Sequence, residues 1–198
     1  MNNYELYKTR EVFSQLFVIA IKNKMNLDSF TFYLERSDLV LSTQKDIYSS
    51  KVDNNLKDLF YMITNYEVSN IEIEGIYNDA YWAGQSYFDL YQELKIPFSL
   101  LFLKLPLSKM LNIYPIYHEM DISSLVSYFI SLNKEKTILR ILCEKKKCSL
   151  SDISKKTNIN LSTLKKYNES DSHLYSASFQ NINKLVNYFN TTYSLFVN

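Results

Sequence analysis

Two glycines among 198 residues constrain this chain more than any other feature of its sequence. Glycine supplies the positive φ angles that tight hairpins need, and proline, the other strong punctuator, occurs only three times. An all-β sandwich needs a turn signal roughly every 8–12 residues. So few turn-makers favour helices joined by short polar corners, and the expected class is mainly α, with a minor β element left open. Hydrophobic residues at 46% supply a packed core, and charged residues at 22% match a globular rather than a disordered protein. The 17 tyrosines and 12 phenylalanines follow the Asn, Lys and Ile bias that an AT-rich genome produces, so their abundance alone carries no function.

Helical periodicity organises the first two thirds. From Tyr4 to Lys24 the apolar residues recur at three- and four-residue intervals and predict an amphipathic helix. Asn26 or Asp28 can cap a second helix through Leu34, and "SDLVLSTQKDIYSS" reads as a connector. Asp53 opens another helical pattern with Leu56, Leu59, Phe60 and Ile63, and "IEIEGIY" from Ile71 alternates as an extended or turn segment would. Asp79 starts a helix that Pro97 stops, and "FSLLFLKLPLSKMLNIYPIYHEMD" predicts short buried helices with corners at Pro106 and Pro115. Asp121 caps a last helix, and "SLNKEK" is the polar hinge to a second domain. The expected domains are 1–133, for dimerisation or partner binding, and 134–198.

The net charge of +1 conceals a division between these parts. Residues 1–133 carry 11 Lys and Arg against 16 Asp and Glu, whereas 134–198 carry 11 against 5. A basic end on an otherwise acidic chain points to a nucleic-acid partner, because phosphate contacts dominate non-specific affinity.

Within the basic end, "SLSDISKKTNINLSTLKKY" (149–167) has the signals of two short helices around a corner. A helix from Thr137 ends in Lys145, Lys146 and Lys147. Ser149 with Asp152 three residues on forms a capping box for a helix over 150–156. Asn158 can take the left-handed conformation usually given to glycine. Asn160 caps a third helix, in which Leu164 and Tyr167 face the core, and Ser178 caps a fourth carrying Phe179, Ile182, Leu185, Val186 and Phe189.

Through Ile153, the small Ser154, Asn158-Ile159 at the turn, Ser162-Thr163-Leu164 and the closing "FQNINKLVNYFNTTYSLF", residues 134–197 resemble the Cro/C1-type, or lambda-repressor-like, helix-turn-helix family. The resemblance implies a four- or five-helix domain that binds double-stranded DNA as a homodimer. By position it assigns Asn160, Leu161, Ser162, Thr163, Lys165 and Lys166 to the bases, and Lys145, Lys146, Lys147, Lys155 and Lys156 to phosphates. The sequence departs from the family in placing Asn158 where glycine is usual and apolar Leu161 at a reading position, without an Arg or Gln for bidentate base contact. The rhythm of "FSQLFVIAIKNKMNLDSFTFYLERSDLV", within residues 11–63, is similar to short helical proteins of bacterial toxin-antitoxin-like loci. Together these imply a bacterial or phage regulator, an antitoxin or operon autorepressor, with a cognate toxin or another protein as a further partner. The alternative is a protein inhibitor acting through the first domain.

Other chemistry is sparse. "YHEMD" brings His118, Glu119 and Asp121 together without the second histidine of a zinc helix. Gly75 and Gly84 are isolated, so no phosphate loop exists, and no nucleophilic dyad can be placed. Cys143 and Cys148 lack zinc-finger spacing and read as two ordinary thiols on or beside a helix, with metal ligation and a disulfide as the lesser alternatives. Trp82, Tyr87 and Tyr91 in "YWAGQSYFDLY" fit either a core helix or a partner interface. No catalytic residue, metal or cofactor is expected. The polar N-terminus and the short apolar run 13–21 predict a cytoplasmic protein without a membrane span.

Overall fold

A computed structural model describes residues 1–45, 47–53, 55–68 and 78–196, and the side chains of these except at 133–135. Among the described residues the fold is mainly α, with thirteen α-helices and no strand. The alternating segment 71–77 lies outside them. No described helix is long and apolar enough to cross a membrane. The chain divides into two compact units, Met1–Ser127 and Tyr128–Asn198. Neither unit's net charge depends on whether the chain is cut here or at Asn133, because 128–133 contains no charged residue.

The first unit is built on α1 (Asn3–Lys22), α2 (Leu27–Leu34), α3 (Asp38–Gln44), α4 (Leu56–Thr64), α5 (Asn78–Leu94), α6 (Phe98–Lys104) and α7 (Leu107–Tyr117). Helix α8 (Ile122–Glu135) begins in it and runs past the division, so the expected hinge at 131–136 is largely helical. Asn2 and Glu5 form a capping box at α1, and Asn26, rather than Asp28, caps α2. The supposed connector contains α3, capped by Ser37. Asp53 does not open α4. Its carboxylate bonds to Lys8 and Tyr48, and Asn55 caps α4 instead. Pro97 and Pro106 do make corners, at the starts of α6 and α7, but Pro115 lies inside α7.

The core of this unit forms where α1 packs on α5. Gly84 permits the close approach: a Cβ there would meet Ser14 Cα at 2.6 Å and the Phe13 carbonyl oxygen at 2.9 Å. Around this crossing the aromatic residues are packing material. Phe13 meets Phe88 with ring centroids 5.6 Å apart, Phe17 meets Phe30 edge-on at 5.0 Å, and Tyr87 meets Phe102 at 4.8 Å. At the margin, Arg10 grips Asp89 in a bidentate pair of 2.7 and 2.6 Å. Of the aromatic segment of α5, Tyr87 and Tyr91 belong to the core of this unit. Tyr87 is fully buried and Tyr91 nearly so, their hydroxyls donating to the carbonyls of Leu105 and Thr43, while half-buried Trp82 packs on Tyr114.

The second unit adds α9 (Ile138–Lys146), α10 (Leu150–Thr157), α11 (Leu161–Glu169), α12 (Asp171–Tyr175) and α13 (Phe179–Phe189), followed by a 3₁₀ turn over Tyr193–Phe196. Its own core contains Ile138, Leu142, Ile153, Leu164, Leu185 and Phe196. Helix α12 has no counterpart in the sequence expectation. Its Asp171 accepts the Ile138 N–H at 2.7 Å, satisfying a donor at the start of α9. Phe179, expected on the buried face of α13, is 74% exposed and stacks on Tyr193 at 5.8 Å. It stands on the first turn, so the apolar stripe enters the core only from Ile182.

The shortage of glycine shows directly in the backbone. Lys24, Asn65, Lys95, Lys147, Asn158 and Asn190 take positive φ, each just after the last residues of a helix. Asn tolerates this region better than most residues, so the corners are made without the residue that makes them at least cost.

Candidate nucleic-acid interface

The corner between α10 and α11 is fixed by local hydrogen bonds. At its entry Ser149 and Asp152 cap α10 reciprocally: the Ser149 N–H donates to Asp152 Oδ2 at 2.9 Å, and the Asp152 N–H donates to Ser149 Oγ at 3.2 Å. The Ser149 hydroxyl and then its N–H stabilise the carboxylate, which holds Asp152 below its ordinary value of 3.8. The helix runs one residue beyond the expected end, to Thr157. There Asn158 turns left-handed with φ 54° and ψ 33°. Ser154 Oγ then donates to the Ile159 carbonyl at 2.7 Å, and the Thr157 hydroxyl accepts the Ile159 N–H at 3.3 Å. Ile159 is buried, which anchors the corner to the core.

Helix α11 presents two unlike faces. Leu164 and Tyr167 are buried, and the Tyr167 hydroxyl accepts from Asn181 of α13 at 3.1 Å, so both are packing residues. Ser162, Lys165, Lys166 and Glu169 fall at i, i+3, i+4 and i+7, and all four are exposed. Thr163 is half-buried on the flank and Leu161 is exposed. Asn160 holds the capping position, but its side chain makes no capping hydrogen bond, unlike Thr137, Ser149 and Ser178 before α9, α10 and α13. The first N–H groups of α11 are left open at a helix end that favours negative charge. Glu169 was not anticipated on this face, although the spacing of Ser162, Lys165 and Lys166 leads to it.

The flanking lysines are not equivalent. Lys155 and Lys156 are exposed on the last turn of α10. Lys145 is exposed, and Lys147 is the left-handed residue closing α9. Lys146 is held by α13: its ammonium donates to the Tyr188 carbonyl and lies 4.2 Å from the centre of the Tyr188 ring. That engagement competes with a phosphate contact.

Elsewhere, His118 closes α7, with Nδ1 2.9 Å from the Tyr114 carbonyl oxygen and Nε2 3.6 Å from the Glu119 carboxylate. Among the described residues no three His, Cys, Asp or Glu side chains gather as a metal site. The chain matches none of the protein-family models, curated proteins or solved structures with which it was compared.

Proposed function

We propose that the chain is a DNA-binding transcriptional regulator of the antitoxin or operon-autorepressor kind, whose second unit docks on double-stranded DNA as a homodimer. One observation carries this reading: α10 and α11 meet at a left-handed Asn158, and α11 buries Leu164 and Tyr167 while leaving Ser162, Lys165 and Lys166 outward and its N-terminus open. In such an arrangement the start of α11 reads base edges from the major groove. The open N–H groups, with Lys155 and Lys156, hold phosphates. The net charge of +6 on residues 128–198 supplies the sequence-independent attraction. Half-sites for such a dimer lie about 34–36 Å apart.

The test is a fluorescence-anisotropy titration of the intact protein against the DNA upstream of its own gene and against a scrambled duplex, each at low and near-physiological salt. Preference for the upstream duplex that survives the higher salt is the expected result. Equal binding that vanishes with salt overturns the reading.

A second reading, inhibition of a protein partner through the first unit, is favoured by the exposure of Tyr61, Met62 and Tyr66 at 46%, 52% and 47% beside the acidic residues Asp58 and Glu67. Under it, a full-length chain with Lys165 and Lys166 both changed to Ala still inhibits after DNA binding is lost. Loss of both activities together rejects it.

A further inference from the structure

The corner between α9 and α10 closes in a way that brings two thiols together. Lys147 is left-handed, its N–H donates to the Glu144 carbonyl at 3.2 Å, and the Cys148 N–H reaches back to the Cys143 carbonyl at 3.1 Å. These are the paired bonds of a Schellman ending, in which the two residues joined by the longer bond also touch through their side chains. In most proteins that contact is hydrophobic. Here both residues are cysteines, held at one helix ending by the backbone bond between them, and neither is in a disulfide. Both line one open cleft of about 430 Å³ with Arg140 and Glu144, so a small solute can reach them.

We propose that Cys143 and Cys148 are a redox-active dithiol that low-molecular-weight disulfides oxidise to an intramolecular disulfide, locking the corner that leads into α10. The step balances. The Cys148 thiolate attacks one sulfur of the small disulfide, forming a mixed disulfide and releasing one small thiolate. Cys143, deprotonated by solvent, then attacks the Cys148 sulfur and releases the second. Two cysteine thiols are oxidised, and one small disulfide is reduced to two thiols. Burial, with the neighbouring Cys148 after it, pushes the Cys143 thiol up to about 12. Cys148 is therefore the first to attack. Once it is in a mixed disulfide its charge is gone, which removes one of the causes holding the proton on Cys143. Attack from a neighbour held at the same helix ending then outruns attack by a second solute molecule.

The thiol chemistry stands apart from DNA binding, and only its use as a control of the first helix of the DNA-binding pair rests on that reading. The test therefore reads mass. The full chain is equilibrated in buffers of graded reduced and oxidised glutathione, quenched with N-ethylmaleimide and weighed intact. The expected oxidised product is lighter than the unalkylated reduced chain by two hydrogens, carries no glutathione and takes up no maleimide. Cys143→Ser is expected to stop at a stable glutathione adduct on Cys148. A chain that keeps glutathione on one cysteine, or keeps both thiols across the series, overturns the proposal. The decisive product forms on the unsubstituted chain and does not require the variant to fold.

Discussion

The Ser154 hydroxyl donates across the α10–α11 corner to the Ile159 carbonyl at 2.7 Å, linking the middle of one helix to the residue before the next helix's cap. The corner is partly buried, so that carbonyl has little water to turn to. A small hydroxyl residue is needed, because a bulkier side chain would push the turn outward. Ser154→Ala is therefore expected to leave the carbonyl unsatisfied and destabilise the second unit by about 1–2 kcal/mol. Thermal or urea melting of the full chain, followed by hydrogen exchange at the corner amides, measures the loss.

Asn158 sits at φ 54°, where a Cβ-bearing residue without Asn's tolerance is strained. Asn158→Ala should cost about 1 kcal/mol. Asn158→Gly, which removes the Cβ at the same backbone angles, should be neutral or stabilising. Paired melting curves check the order, and a strongly destabilised Gly variant would place the left-handed turn at another residue.

This corner was legible because each of its signals is local. Ser149 and Asp152 announce the start of α10 and Asn158 its end, and all three act where the sequence puts them, whereas Asn160 holds the next cap position without the expected capping bond. What failed depends on neighbours far along the chain. Asp53 carries the same capping chemistry as Asn55, but its carboxylate is taken up by Lys8, 45 residues earlier, and by Tyr48. Phe179 continues the period of Ile182 and Leu185, but the core ends before it. Tyr87 and Tyr91 look alike as interface or core residues until Leu105, just after α6, and Thr43, in the last turn of α3, are seen to supply their carbonyl partners, and α6 to pack its phenylalanines on their rings. The exposed face of α11 was readable from helical spacing, whereas the hold of α13 on Lys146 was not.

Gly84 sets the spacing of α1 and α5. The Cβ of Gly84→Ala would meet backbone atoms of Phe13 and Ser14, which cannot rotate aside as a side chain can. The substitution should therefore cost at least the upper part of the usual overpacking range, about 3 kcal/mol. Loss of the near-ultraviolet signal from the aromatic core, at a lower denaturant concentration than in the parent, is the expected observation. A melt within experimental error of the parent would show that the helices can part without cost.

The Ser149–Asp152 cap gives α10 an acid dependence with a definite sign. Asp152 titrates below its ordinary 3.8 when folded, because the charged carboxylate accepts both Ser149 donors. Its stabilising contribution is fully present above 3.8 and is lost as pH falls through the lowered value. Asp152→Asn should therefore be less stable than the parent at neutral pH, and the difference should close only below pH 3.8. Melting curves for the pair at a series of pH values give the comparison. A difference that closes near neutrality would mean that another group controls the cap.

On α11, Lys165 and Ser162 share the exposed face but carry different chemistry, and DNA binding can be divided between them. A lysine contacting phosphate contributes alike at every sequence. If Lys165 touches phosphate rather than the base edges its position assigns, Lys165→Ala should weaken binding to all duplexes and reduce the slope of log affinity against log salt by about one unit. Ser162 lies in the first turn, where the DNA-binding proposal puts a hydroxyl against base edges. Ser162→Ala should leave the salt slope unchanged and relax preference at one or two base pairs, costing on the order of 1–3 kcal/mol on the preferred duplex if its contact is a specific one. Anisotropy titrations of both variants across a salt series, on the preferred duplex and on single-base-pair substitutions of it, separate the two effects. Unchanged affinity and preference in both variants would remove α11 as the reading helix, and with it the central assignment of the DNA-binding proposal.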